Sequence, residues 1–221
     1  MANPLSAQGY VYELLKRQIL HFELKPDERL HMKTLTESLN VGATPLREAI
    51  GHLRTNGLVA VFAQSGSFVS RIDENIVRQS HLVRKQIEGT VIRETTEHIT
   101  SIQLQNLQQD LAMQQVYLYS HDFDRFFDMD EQFHRHFYQI AEKPAVWKWM
   151  ETINLQYSRL RYLHLEFLEL NWQQLYQDHV RILDAISAHD GEGAVALNNQ
   201  HLGILVDDLA MVRKIHPEYF A

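Results

Sequence analysis

Two short amphipathic segments joined by a tight turn constrain the fold of the N-terminal third of this chain more than any other feature. In the first segment, MKTLTESLN, Leu35 and Leu39 lie four residues apart. In the second, Leu46, Ile50 and Leu53 form one apolar stripe at helical spacing. The residues that join them, NVGA at 40–43, begin with the last residue of the first segment and are too few for anything but a turn. The pattern predicts a helix-turn-helix.

The second segment also carries signals for its two ends. Thr44 is a residue type that commonly caps helix N-termini, and Pro45 suits the first helical position. Asn56 and Gly57 are typical of a helix end. We therefore predict a helix that begins at Thr44 and closes at Asn56-Gly57.

Two β-rich segments, LVAVFA and SFVSRI, follow directly and are separated by QSG. Their content of valine, phenylalanine and isoleucine predicts a hairpin. A hairpin placed after a helix-turn-helix is a wing. Its predicted tip, residues 64–67, is small and polar, which allows backbone amides to approach phosphates or enter a minor groove.

The run LTESLNVGATPLREAIGHLRTNGLVAVFAQSGSFV resembles the winged-helix domain of GntR-type bacterial transcription regulators. The resemblance covers residues 8–72 and rests on the TPLREA core, the NGLV segment and the glycine-tipped wing. It implies binding to double-stranded operator DNA, with four residues at DNA-contacting positions: Lys33, Thr44, Arg47 and Gly66. Many members carry a basic or polar residue where Ala43 stands, so the operator sequence cannot be copied from relatives.

Charge divides the chain into two parts. The net charge is −7 overall, but residues 1–72 carry +2 and the remainder carries −9. A mildly basic head on an acidic body indicates two domains with different partners. We therefore predict a DNA-binding domain at 1–72 and a second domain at 73–221.

Composition excludes several classes of site and location. The chain of 221 residues contains no cysteine, so disulfides and thiolate metal sites are impossible. No apolar run approaches the ~20 residues that a membrane span needs. MANPLSAQGY has neither the basic nor the apolar region of a secretory signal. We expect a cytoplasmic protein with no membrane partner.

From residue 73 onward, helical periodicity recurs and no strand pattern is convincing. Pro144, Asn171 and the Asp190-Gly191 pair mark breaks. The predicted helices span 74–98, 102–119, 122–142, 145–168, 172–189 and 191–214. The predicted fold is mainly α: a winged helix-turn-helix with a small β-hairpin wing, followed by an antiparallel bundle of about six helices.

The bundle contains a candidate metal site. Within DMDEQFHRHF, Asp130 and His134 lie four residues apart and share one helical face, and two further histidines, His179 and His201, lie on other predicted helices. Three neutral imidazoles and a carboxylate suit a divalent transition metal such as zinc, nickel or manganese. An exposed i,i+4 ion pair is the competing interpretation. We expect His136, His164, His189 and His216 to be surface or capping residues.

The body resembles the FCD ligand-binding domain of the FadR-type branch of the GntR family. The resemblance spans residues 75–215 and rests on the run ending at Phe133-His134, the H-x-x-I-L-x-A-I run from His179 and the N-x-x-H-L run around His201. It implies that Asp130, His134, His179 and His201 hold a metal. It also places an inward arginine, Arg84, on the first helix of the domain.

A pocket for a small carboxylate effector would need cations. Arg84, Arg159 and Arg161 are the candidates, because a guanidinium binds a carboxylate through two hydrogen bonds. The competing interpretation of each is a surface salt bridge.

The leading functional hypothesis is a homodimeric transcription regulator, a repressor without catalytic residues, whose operator affinity responds to a small organic or sugar acid. Two alternatives stay open. One is a metal-dependent hydrolase or lyase with an appended helical head. The other is a DNA-binding protein whose metal is purely structural. The effector, the native metal and the direction of the response are left open by the sequence.

Overall fold

The computed structural model describes residues 6–167 and 172–221. Its N-terminal part combines three helices with a small sheet. The helices are α1 (Ala7–Leu20), α2 (Met32–Leu39) and α3 (Ala43–Thr55), and the strands are β1 (Arg29–Leu30), β2 (Val59–Phe62) and β3 (Gly66–Val69). The sheet is antiparallel with strand order β1-β3-β2. Helices α2 and α3 form the predicted helix-turn-helix, and β2 and β3 form the predicted wing.

Helix α3 begins earlier than the sequence predicted. Its N-cap is Gly42, which has extended backbone dihedrals and no capping side chain, so Thr44 lies inside the first turn and is exposed. Proline is tolerated throughout the first turn because the backbone N–H groups there have no intrahelical partner, so Pro45 does not fix the start. The predicted end is correct: the helix stops at Thr55, and Gly57 takes a φ of 73°.

Strand β1 was not predicted, because two residues give no periodic signal. Arg29 pairs with Phe68, and Leu30 pairs with Ser67. This strand ties the loop after α1 to the wing and covers one edge of β3. Beneath the sheet, the helices bury an apolar cluster whose members include Val11, Leu15, Leu46, Leu53 and Val69.

The body contains eight α-helices among its described residues, rather than six. They are α4 (Glu74–His98), α5 (Ser101–Tyr119), α6 (Phe123–Ile140), α7 (Pro144–Ile153), α8 (Leu155–Phe167), α9 (Trp172–Ser187), α10 (Gly191–Asp207) and α11 (Leu209–Ile215). A single 3-10 turn, Pro217–Tyr219, follows. None of the described helices combines the length and apolarity that crossing a membrane requires.

The two extra helices arise where predicted segments break without a proline or glycine. The predicted 145–168 helix is interrupted at Asn154, and the 191–214 helix is interrupted at Asp208. The apolar spacing continues through both breaks, so the pattern carries no warning of either. The predicted break at Asn171 lies outside the described residues.

Helix α4 runs through the body and packs against α6, α8 and α10. The two parts of the chain also share apolar contacts. Phe22, at the end of α1, belongs to the core of the body, whereas Leu155, at the start of α8, belongs to the core of the winged helix. The winged helix is therefore packed directly on the bundle through α1 and α8.

Candidate metal centre

Four side chains from three helices converge inside the bundle. Asp130 and His134 come from α6, His179 from α9 and His201 from α10, and each offers a ligand atom within 4.8 Å of the others. All four are at least nine-tenths buried. The i,i+4 spacing on α6 places its two side chains on the same inward face, so the alternative of an exposed ion pair does not apply.

The ring nitrogens that face one another are the Nε2 atoms. His201 Nε2 lies 3.3 Å from His134 Nε2 and 3.2 Å from His179 Nε2. Asp130 Oδ1 lies 3.4 Å from His179 Nε2. Ligands bound at about 2.0–2.1 Å around a tetrahedral zinc ion are separated by roughly 3.3 Å, which matches these spacings.

The opposite ring nitrogen, Nδ1, of each histidine faces a polar side chain from a neighbouring helix. The three contacts are His134 with Glu88 Oε1 at 2.7 Å, His179 with Gln114 Oε1 at 2.8 Å, and His201 with Asp178 Oδ2 at 3.7 Å. The contact to Gln114 is an aligned hydrogen bond, whereas the two carboxylate contacts are close but poorly aligned. An acceptor at Nδ1 favours the tautomer with the proton there.

This tautomer leaves a lone pair on each Nε2, directed at the shared centre. Three lone pairs at this spacing repel one another unless a cation lies between them. Burial lowers the pKa of His134 and of His179, and it lowers the pKa of His201 to about 4. The three imidazoles are therefore neutral near pH 7, which is the form that binds a metal.

Glu88 supplies a negative charge beside the cluster. Burial acts to raise the pKa of its carboxyl, but His134 and Arg84 outweigh burial, and the net pKa lies below the usual range. Its Oε2 accepts a hydrogen bond from Arg84 Nε at 3.1 Å. Glu88 is fully buried, so this carboxylate depends on its two partners rather than on water.

Two of the three predicted arginines lie at the cluster. Arg84 Nη1 is 3.5 Å from Glu131 Oε1. Arg161 forms close ion pairs with both Asp130 and Glu131. Burial, reinforced by Arg84, lowers the pKa of Arg161 well below its ordinary value. Both guanidinium groups are thus held by carboxylates of the protein itself.

Arg159, the third predicted arginine, is not brought to the cluster. Arg159 and Arg161 are two residues apart, which places them on nearly opposite faces of α8. The Nη1 group of Arg159 donates to Gln156 Oε1 at 3.3 Å, and its guanidinium lies 5.5 Å from the ring centroid of Phe22. It faces the junction between the two parts of the chain.

His164, expected at the surface, is buried and lies 2.8 Å from Asp208 through its Nε2. It lines a cavity of about 30 Å³ next to the cluster. The lining residues are Asp130, Tyr157, Arg161, His164, Leu175, His201, Leu202, Ile204 and Leu205. The lining thus combines charged residues of the cluster and Arg161 with four aliphatic side chains.

The partners Glu88, Gln114 and Asp178 were missed by sequence reasoning. Glu88 lies four residues after Arg84, a spacing that is common for pairs on an exposed helix face. Gln114 and Asp178 carry no spacing signal at all. Only the packing of α4, α5 and α9 around α6 and α10 reveals their roles.

Among the predicted DNA-contacting residues, Lys33, Thr44 and Arg47 are exposed. Neither Lys33 nor Arg47 forms an ion pair within the part of the chain that the structure describes. Gly66 opens β3 with a φ of 113°, and a Cβ there would lie 3.3 Å from Arg29 Nε. This glycine allows the tight end of the wing.

Comparison with known proteins agrees with this architecture. The family model described as bacterial regulatory proteins, gntR family, matches residues 7–69, and the FCD domain model matches residues 79–203. The chain therefore belongs to the GntR family of transcriptional regulators, in the group that carries an FCD domain.

Relatives and solved structures extend over nearly the whole chain. The HTH-type transcriptional repressor RspR of Escherichia coli is 29% identical over 211 residues, which is 96% of this chain and 92% of that protein. The E. coli regulator McbR is 24% identical over 180 residues, 81% of each chain. The structure of E. coli McbR/YncC matches with a TM-score of 0.82 at 20% identity, covering 96% of this chain and all of that one. A GntR regulator of Rhodococcus sp. RHA1 matches with a TM-score of 0.77 at 18% identity, covering 94% and 98%.

Proposed function

We propose that this regulator is a repressor whose operator affinity is set by a small carboxylic acid bound at a metal in the helical body. The observation that carries the proposal is the convergence of three histidine Nε2 atoms and one carboxylate at ligand spacing. The name of the relative RspR supports repression. Asp130, His134, His179 and His201 are the proposed ligands of a divalent metal such as zinc, nickel or manganese.

The metal would supply a Lewis-acidic position for the effector carboxylate. Arg84 and Arg161 would supply guanidinium groups on the same side. Both arginines are neutralised by carboxylates of the protein, so an effector carboxylate competes with Glu131 in particular for them. A small cavity lined partly by charged residues suits a compact acid.

Regulation, rather than catalysis, is the proposed role of the metal. The three histidines of the cluster are the proposed ligands, and their Nδ1 atoms face Glu88, Gln114 and Asp178, so none of the three is free to act as a general base. The buried His164 beside them is held against Asp208. The winged helix gives the body a DNA-binding partner to control. Turnover of a substrate by the metal-loaded protein would contradict this assignment.

The proposed DNA-binding unit is a homodimer, with Lys33, Thr44, Arg47 and Gly66 contacting each half-site. A single winged helix offers a small interface, and two-fold symmetry doubles it. Sedimentation of the protein alone and with operator DNA measures the assembly. A monomer at micromolar concentration under both conditions would contradict the proposal.

The decisive experiment begins with selection of the operator from genomic DNA by the purified protein. Operator affinity is then measured with the zinc-loaded protein against a panel of short organic acids and sugar acids. We expect at least one acid to shift affinity by about fivefold or more, and the shift to vanish after metal removal. No shift by any acid would reduce the metal to a structural role.

A further inference from the structure

Helix α8 connects the candidate metal centre to the winged helix. One of its faces carries Tyr157 and Arg161, which line the cavity beside the cluster. Another face carries Gln156 and Arg159, which point to the junction with the N-terminal part. Because a helix is stiff over two turns, a displacement of the first face also moves the second.

At the junction, Gln156 makes a direct hydrogen bond to the end of the helix-turn-helix. Its Nε2 donates to the backbone carbonyl of Gly57 at 2.8 Å, and the side chain is only 6% exposed. Gly57 follows the cap of α3, the helix that carries Arg47. The neighbouring Leu155 packs into the core of the winged helix, so the start of α8 and the end of α3 are held together.

Arg159 binds the side-chain amide oxygen of Gln156. The Nη1 group donates to Gln156 Oε1, while Nε and Nη2 have no hydrogen-bond partner within the described part of the chain, and the side chain is fully buried. Among the side chains that the structure describes, no carboxylate forms an ion pair with this guanidinium, and burial lowers its pKa to about 9. An uncompensated buried cation destabilises a fold, so stability does not explain its presence.

The ring beneath Arg159 is also held in a strained conformation. Phe22 has a φ of 56°, in the left-handed region that bulky residues rarely adopt. Its side chain is buried in the core of the body and stacks on Tyr162 and Tyr219. Strained backbone and an unpaired buried charge therefore meet at the same joint between α1 and α8.

The cluster contacts α8 through Arg161, which pairs with Asp130. A metal bound to Asp130 would weaken the attraction between Asp130 and Arg161. An effector carboxylate would give Arg161 an alternative ion-pair partner. Either event changes the force on α8 at a position five residues beyond Gln156.

We propose that Gln156 and Arg159 are positioning residues that transmit the state of the metal centre through α8 to the C-terminal end of the recognition helix α3. The inference rests on the proposed function, because it takes the cluster to bind metal. It adds the route by which occupancy reaches the DNA-binding surface, and it assigns Arg159 a role in signalling rather than in effector binding.

The first test measures amide hydrogen exchange at residues 56–58 in the metal-free and zinc-loaded protein. These amides donate to the last turn of α3, so they report its stability. We expect zinc to change their exchange rates at least about fivefold in the wild type and less than twofold in Gln156→Leu. Gln139→Leu, at an exposed glutamine on α6, is the matched control and should respond like the wild type.

The second test separates signalling from a structural role. Arg159→Met removes the uncompensated charge and retains bulk, so we expect a higher melting temperature together with loss of the zinc response. Gln156→Glu keeps an acceptor for Arg159 but places an oxygen against the Gly57 carbonyl, so we expect the response to be lost there too. A purely structural role predicts a lower melting temperature for Arg159→Met and an intact response for Gln156→Glu.

Zinc content is measured for every variant and should equal that of the wild type. If the wild type binds no zinc, both the proposed function and this inference are refuted. If it binds zinc but exchange at 56–58 does not change, or if Gln156→Leu responds like the wild type, only the route through α8 is refuted.

Discussion

Replacing Glu88 by glutamine tests how the cluster is held, because Glu88 is a fully buried carboxylate that faces a proposed ligand without being a ligand itself. Its Oε1 is 2.7 Å from His134 Nδ1, and its Oε2 accepts from Arg84. Glu88→Gln retains the shape and removes the charge. Substitutions at such positions typically weaken metal binding about 10–100-fold, roughly 1.4–2.7 kcal/mol.

The geometry predicts an order among the three partners. Glu88→Gln should have the largest effect, because it removes a buried charge next to His134. Gln114→Leu should be intermediate, since it removes a neutral but aligned acceptor at 2.8 Å from His179. Asp178→Asn should have the smallest effect, because its oxygen is 3.7 Å from His201 Nδ1.

Zinc affinity is measured by competition with a chromophoric chelator, and folding is checked by circular dichroism. The matched control is Glu94→Gln on the same helix, which loses only a half-exposed pair with Lys143. Gln114→Leu changes no charge, so it still tests the role of the Nδ1 partners if Glu88→Gln folds poorly. Equal zinc affinity in all three partner variants and the control would refute the role assigned to the Nδ1 partners.

Three further predictions concern DNA contact, the wing and pH. Arg47→Ala should weaken operator binding by about 1–3 kcal/mol, whereas Lys33→Ala should weaken all sequences alike and reduce the salt slope by about 1; unchanged binding in both would refute the DNA-contact assignment. Gly66→Ala should lower the urea midpoint because of its φ of 113°, at a cost of about 1–3 kcal/mol, whereas Gly51→Ala, on a helix face with open space, should not; equal midpoints would contradict the strain argument. Burial lowers the pKa of His201 from 6.5 to about 4, so between these two pH values the unfolded chain is protonated at this residue and the folded chain is not. The metal-free protein should therefore lose stability as the pH falls from 6.5 to about 4, and a urea midpoint that stays constant over this range would contradict the prediction.

Local signals in the sequence predicted the winged helix well. The leucine spacing in α2 and α3 and the glycine between the two β-rich segments specify elements that form mainly through neighbours in the chain. The breaks at Asn154 and Asp208 escaped prediction because the apolar periodicity continues through them. Tertiary packing, rather than a breaker residue, ends those helices.

At the candidate site, too, the features set by local spacing were predictable and those set by tertiary packing were not. The i,i+4 pair of Asp130 and His134 is visible in the sequence, and the family resemblance supplies His179 and His201. The side chains that contact the histidine Nδ1 atoms could not be predicted from the sequence. Glu88 and Gln114 come from helices whose rotation about their own axes depends on packing. Arg159 and Arg161 were both predicted at the site, but residues two apart on a helix are separated by about 200°, so they do not face the cluster together.

The most direct test of the account is the metal content of purified protein that has met neither chelator nor an affinity nickel column, compared across three variants. We predict about one divalent metal per chain in the wild type and in His136→Ala, whose ring binds Asp110 away from the cluster. His179→Ala and His201→Ala should lose most of the metal while keeping the fold of the winged helix. Absence of metal from the wild type, or equal loss in His136→Ala and His179→Ala, would contradict the proposed cage.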